Sequence, residues 1–324
     1  MAYRKHTRAR LGYAGLALLF LSLAACAAVT TNPGDQAATG PGGASGAGGA
    51  HDAGLTGTGG GNDGGVDFDG SSDGGPAAGE VYAHDPSTLY LLEPISKVVS
   101  VVGSFDCVGP PDPKEFNGYD AMHDIAIDKD GNMFGVGLTP AATQGLFTID
   151  KKTAKCKLIA TMAPDMRGLT FVPVGVLDPS SEVLVGLDVI GTLHRIDPVT
   201  FAVTTIGPLS GVGNLVAKGG DLVSIAGDKT YAMAYEASDC CNDHTLVIDP
   251  TTGKVVTDLG NSGIIKLGGG LGYWGGTLYA FAWDGKLYAI DTKTGNPTQI
   301  PVPNPPSSFR GAAVTTIAPI MPPK

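Results

Sequence analysis

From Glu80 to the C-terminus, apolar positions come in short runs bounded by Gly, Pro, Asp and Thr, and no 3.6-residue periodicity persists beyond two turns. That texture predicts strands, and one phrase of it recurs. The copies are Leu146-Phe147-Thr148-Ile149-Asp150, Leu193-His194-Arg195-Ile196-Asp197, the shorter Leu246-Val247-Ile248-Asp249, and Leu287-Tyr288-Ala289-Ile290-Asp291. A threonine stands three residues after each aspartate (Thr153, Thr200, Thr252, Thr294), and glycine follows in two copies, Gly253 and Gly295. Leu89-Tyr90-Leu91-Leu92-Glu93 is a fifth, degenerate copy. Asp-x-x-Thr-Gly suits a tight turn, since short polar side chains bond nearby backbone and glycine tolerates positive φ, so these aspartates read as turn formers, not catalysts. Upstream of each copy lies another hairpin, clearest in Asp124–Val136 and Gly272–Phe281. Four strands per unit follow.

The four aspartates are 47, 52 and 42 residues apart, the period of a four-stranded propeller blade. Val81–Phe105 lacks the leading strand of a unit, and Phe309–Thr315 looks like such a strand with no unit after it. A C-terminal strand completing the first blade would close the ring, so the expected fold is an all-β five-bladed propeller over residues 80–320. Six blades remain open, because Gly211–Asp228 divides in two ways. The repeat resembles those of bacterial propellers in the broad group with NHL-type and quinoprotein-type repeats. The Gly-His and Trp-Asp marks of WD40 blades do not recur at the period, nor does the closing tryptophan of quinoprotein repeats.

Before Glu80 the pattern differs. Arg4, Lys5, Arg8 and Arg10 precede the apolar run Leu11–Leu21, too short for a spanning helix, and this basic-then-apolar order predicts a secretory signal over residues 1–25. The ending Leu23-Ala24-Ala25-Cys26 resembles the lipobox of bacterial lipoproteins, which implies cleavage before Cys26, acylation of that residue and a permanent membrane anchor. Ala27, where lipoproteins kept at the inner membrane usually carry Asp, implies residence at the outer membrane, facing the periplasm or the surface. Residues 26–79 hold 18 of the 49 glycines and no Lys or Arg, a composition that cannot form a core and predicts a disordered Gly/Ala/Asp tether. Gly60–Asp69 resembles one calcium-binding Gly/Asp nonapeptide, but a single copy cannot close a site, and the reading is plain linker.

Charge excludes one partner class. The net charge is −10 and signal removal leaves 17 basic against 31 acidic residues, so a nucleic-acid binder relying on a broad basic surface is disfavoured. Four cysteines remain after the anchor, Cys107, Cys156, Cys240 and Cys241, an even number in an oxidising compartment. A bridge from Cys107 to Cys156 would join adjacent blades and leave a vicinal Cys240–Cys241 pair, though three pairings are open. Asp239-Cys240-Cys241-Asn242-Asp243-His244 lacks zinc-finger spacing, and neither a metal nor a cofactor is expected.

Aligning the units sets Met122-His123-Asp124, Met166-Arg167-Gly168 and Phe309-Arg310-Gly311 at one position, just before the innermost strand. His123, Asp124, Arg167 and Arg310 are therefore the candidate ligand-binding residues at one mouth of the axis, able to hold a carboxylate or phosphate. The competing reading pairs them with Asp124 and Asp165 and seals the channel. Tyr273, Trp274 and Trp283 are a candidate sugar-stacking surface, or packing between blades. A propeller hydrolase or lyase on a carbohydrate or small anion would need carboxylates converging on the axis, with Asp124, His123 and Asp221 the residues to suspect. Gly70-Ser71-Ser72-Asp73-Gly74 lies in the linker, and Gly270-Leu271-Gly272-Tyr273-Trp274-Gly275 opens a strand where a dinucleotide site needs a helix. The expectation is a membrane-tethered binding or scaffold propeller without catalysis, with a protein or glycan partner.

Overall fold

A computed structural model describes residues 80–109, 122–211, 213–216, 220–236, 239–264 and 269–322, and of these the side chains of 216, 236 and 239–242 are not described. The signal, Cys26 and the linker to residue 79 lie outside the described residues. The remainder is all-β, with no helix among the described residues.

The first sheet contains β1 (Val81–His84), β2 (Thr88–Glu93) and β3 (Val98–Ser104). The second is β4 (Met122–Ile127), β5 (Met133–Leu138), β6 (Gln144–Ile149) and β7 (Cys156–Thr161), and the third β8 (Met166–Val172), β9 (Val183–Asp188), β10 (Thr192–Ile196) and β11 (Val203–Pro208). The fourth has five members: β12 (Leu215–Val216), β13 (Leu222–Ser224), β14 (Thr230–Glu236), β15 (Asp239–Asp249) and β16 (Lys254–Asn261). The fifth is β17 (Gly270–Trp274), β18 (Thr277–Phe281), β19 (Leu287–Asp291) and β20 (Pro297–Ile300). The last strand, β21 (Gly311–Ala313), returns to pair antiparallel with β1, with Tyr82 opposite Ala313 and His84 opposite Gly311.

All pairing is antiparallel and each sheet is a meander, so these are five propeller blades. The region that could be divided in two ways makes one blade, because β12 and β13 share a partner: β13 pairs the first half of β14 and β12 its last two residues. Five is the count. Strands β21, β4, β8, β13 and β17 touch in cyclic order and form the inner ring. β21 occupies the edge that β1 would otherwise leave open, which removes a template for aggregation.

Burial runs in a gradient from axis to rim. All six residues of β4 are buried, whereas the outermost β7 alternates between exposed and half-buried. An inner strand has neighbouring blades on both faces, so apolar residues are required at odd and even positions alike. Ile125 and Ile127 pack with Tyr82, Leu89 and Phe105 of the first blade, while Ala126 between them packs with Leu169 and Phe171 of the third. Aromatic pairs fill two further seams, with Phe281 and Phe309 edge-to-face at 5.1 Å and Tyr231 stacked on Tyr273 at 6.1 Å, while the seam between the third and fourth blades is aliphatic.

The recurrent phrase builds one turn in every blade. The amide four residues on donates to the carbonyl of the Asp or Glu: Lys97 to Glu93, Ala154 to Asp150, Phe201 to Asp197, Gly253 to Asp249 and Gly295 to Asp291, at 2.7–2.9 Å. All five donors have positive φ, between 60° and 74°. The acidic side chain caps the turn, as where Asp197 accepts from Val199 and Thr200 at 2.9 Å, and Glu93 of the degenerate copy does the same for Ile95 and Ser96. Asp128 likewise accepts the amides of Asp130 and Asn132.

After β21 the chain crosses the end of the axis at which the inner strands finish. Thr315 bridges to Ile127, the Thr316 carbonyl accepts from Ala226 and the Pro319 carbonyl from Gly275, so the tail is held by three blades. The opposite mouth, where the inner strands start, carries the candidate site.

Candidate functional site at the axial mouth

Each inner strand opens with a short polar or glycine-rich step, and the equivalent residues are Asp124, Gly168, Asp221, Gly270 and Gly311. Their next neighbours, Ile125, Leu169, Leu222, Leu271 and Ala312, point five backbone N–H groups inward. Two carboxyl groups take all five. Asp124 accepts from Ile125 at 2.9 Å through Oδ1 and from Leu169 at 2.6 Å through Oδ2. Asp221 accepts from Leu222 at 2.5 Å through Oδ1, and from Leu271 at 2.6 Å and Ala312 at 3.2 Å through Oδ2. The two carboxyls also lie close enough to each other to interact directly. Two side chains thereby link β4, β8, β13, β17 and β21.

The three glycines leave room for this. A Cβ on Gly311 would overlap Asp124 Oδ1 and His84 Nε2, and one on Gly270 would overlap the backbone of Gly311 and Ala312. Asp124 and Asp221 are 0% and 1% exposed, and burial raises both above the usual carboxylate range, Asp221 to about 7, with the neighbouring Asp221 charge raising Asp124 further above its ordinary value. The pair therefore keeps a proton at a pH where isolated carboxyls are ionised.

Above the carboxyls sit two histidines. His84 closes β1, and its Nδ1 lies 2.8 Å from the Asp85 carbonyl, which only an N–H can satisfy, so Nε2 presents a lone pair, 4.0 Å from Asp124 Oδ1. His123 Nδ1 lies 3.1 Å from the Met166 carbonyl and 3.5 Å from Asp165 Oδ1. Burial pushes both imidazoles down to about 4, reinforced by the positive charges of Arg310 at His84 and Arg167 at His123, so both are neutral at pH 7. Arg167 binds Asp165 at 2.8 Å, and Arg310 lies over the Trp283 ring at 4.9 Å. Buried polar atoms here without a hydrogen-bond partner among the described residues include His84 Nε2, His123 Nε2, Gln144 Oε1 and Trp283 Nε1.

Sequence alignment of the units thus located His123, Arg167 and Arg310 at one mouth. Asp124 belongs to a deeper layer, beneath that mouth and shared with Asp221. His84 and Gln144 were missed, because they sit on second and third strands, where no repeat position marks them. Tyr273, Trp274 and Trp283 do not form one surface: β17 carries the first two to its far end, both buried, while Trp283 follows β18 at the near mouth. Cys107 and Cys156 are bonded, with Cα atoms 5.4 Å apart, joining the segment after β3 to β7 and so the first blade to the second. Cys240 and Cys241 fall within β15, and their pairing lies outside the described side chains.

No protein-family model matches the chain, and no curated protein matches it in sequence. Among solved structures it is similar to the Dos1 propeller at 12% identity, over 68% of this chain and 55% of that one, with a TM-score of 0.36. TolB from Acinetobacter baumannii matches at 16% over 70% and 51%, TM-score 0.39, and BamB from Moraxella catarrhalis at 14% over 69% and 58%, TM-score 0.32. The chain spans about half the length of each.

Chemically the two layers differ. A glycosidase needs carboxyls about 5–9 Å apart that reach a substrate, whereas this pair is in mutual contact, buried, and committed to backbone amides. The outer layer offers two guanidiniums, a partly exposed indole and neutral imidazole lone pairs, which suit a hydroxyl-bearing or anionic group. Among the described residues no three His, Cys, Asp or Glu side chains are placed to hold a metal.

Proposed function

We propose that this chain is a lipid-anchored propeller of the outer membrane that binds a protein or glycan partner at the mouth lined by His123, Arg167, Arg310 and Trp283, without catalysis. The observation that carries this reading is the commitment of both axial carboxyls to the five inner-strand amides, which takes Asp124 and Asp221 out of reach of a substrate. The C-terminal tail crosses the other end of the axis, which favours this mouth as the contact. Acylation at Cys26 follows from the lipobox-like ending, and residues 26–79 would serve as the tether.

Two measurements test the reading. In a bacterial host fed labelled palmitate, the wild-type chain should carry label and sediment with membranes, and Cys26→Ser should do neither. Label on the variant would refute the anchor. Binding to isolated envelope proteins and to a glycan array should be weakened together by Arg167→Glu and Trp283→Ala, about tenfold or more if the mouth is the contact. A captured partner whose affinity neither substitution changes would move the site elsewhere. Turnover of any arrayed glycan would reverse the non-catalytic reading in favour of a hydrolase.

A further inference from the structure

The inner strands of neighbouring blades do not share a sheet, so something other than ladder hydrogen bonds must hold their starts together. Here it is the carboxyl pair. Each oxygen of Asp124 and Asp221 takes at least one N–H, each blade supplies one, and the contacts between the two carboxyls join β4 and β8 to β13, β17 and β21. A carboxyl–carboxyl hydrogen bond requires a proton. Two ionised carboxylates in contact inside a buried axis would repel strongly.

We propose that the Asp124–Asp221 pair is a proton-locked fastener of the propeller: a retained proton lets two side chains tie the inner strands of all five blades, and its release to solvent at alkaline pH loosens the ring.

The charged and titratable groups facing the pair are few. His84 faces it from β1, His123 adjoins Asp124 on β4, and Arg167 on β8 and Arg310 before β21 act on those histidines. Among the described residues β13 and β17 add no charged group beyond Asp221. The signs of these contributions differ. Each carboxyl binds its proton more tightly in the fold than in the unfolded chain, so its contribution is full below about pH 4 and is lost as pH rises through the folded value. The two histidines, depressed to about 4, work oppositely and favour the fold as pH rises from about 4 to 6.5. Below about pH 6.5 the two effects offset each other; above it the carboxyls act alone.

The test is urea unfolding of the full, oxidised chain from pH 5 to 8.5. The folding equilibrium constant of the wild type should fall as pH rises above about 7, by up to about tenfold per pH unit, the limit for one proton lost on unfolding. Asp124→Asn, whose amide replaces the protonated acid without titrating, should show a flattened profile over the same range. A wild type of constant stability from pH 6.5 to 8.5, or an Asn variant with the full wild-type slope, overturns the proposal. Should the variant fail to fold, carboxyl-carbon NMR of the wild type decides it: one axial aspartate should remain protonated above pH 6.5, and ionisation of both by pH 5 overturns it.

Discussion

At the scale of single residues, the axis is governed by which inner-strand starts carry a side chain. Asp at two of five equivalent positions and Gly at three gives two carboxyls the space to meet five amides. Gly311 bears directly on the site, since a methyl group there would overlap both Asp124 and His84. Gly311→Ala should destabilise the propeller by about 3 kcal/mol, at the upper end of overpacking costs, and the displaced His84 should be visible as a perturbed imidazole titration in NMR. Unchanged urea unfolding would mean that the axis is looser than these contacts imply. The alternation of Asp and Gly is readable once the units are aligned. That the two carboxyls meet is not, because the repeat orders residues within a blade and says nothing of distances across the ring.

At the scale of elements, the repeated turn explains both what recurs and what varies. The acidic residue is retained because its side chain accepts the amides two and three residues on; the threonine recurs because its Oγ1 takes the amide two further, at 3.3 Å in Lys155 and Lys254. The fifth turn position needs positive φ in every blade, but only two blades use glycine; Lys97, Ala154 and Phe201 adopt it as well. At both glycines a side chain would collide with the neighbouring blade, at Gly253 with the carbonyl of Pro208. At Gly295 a Cβ would overlap the carbonyl of Leu259 in the fourth blade. Gly295→Ala should therefore lose about 1–2 kcal/mol from the left-handed backbone alone, more if Leu259 cannot yield, measured by urea unfolding. A neutral result would show that the turn carries no strain. The turns and their capping were legible from composition, because their forces act within five residues.

At the scale of the whole molecule, the ring is held by devices that join residues far apart: β21 on β1, the axial carboxyl pair, and the disulfide between the first two blades. The disulfide closes a loop whose ends are 49 residues apart, including residues 110–121, and its reduction should lower stability by about 3 kcal/mol, with faster amide exchange concentrated in β3 and β7. Equal exchange with and without reductant would show that apolar packing alone holds that seam. The sequence by itself determined the class of fold, the number of strands per blade, the turn in every blade and the return of the C-terminal strand. Those features rest on local periodicity and on the need to close an edge, and both are written residue by residue. Only the tertiary structure decided that the Gly211–Asp228 region forms one blade, that Cys107 pairs with Cys156, and that Asp124 and Asp221 together take the five inner-strand amides beneath His84. Each of these depends on which side chains from different blades arrive at the same point, and a chain read one repeat at a time carries no record of that convergence.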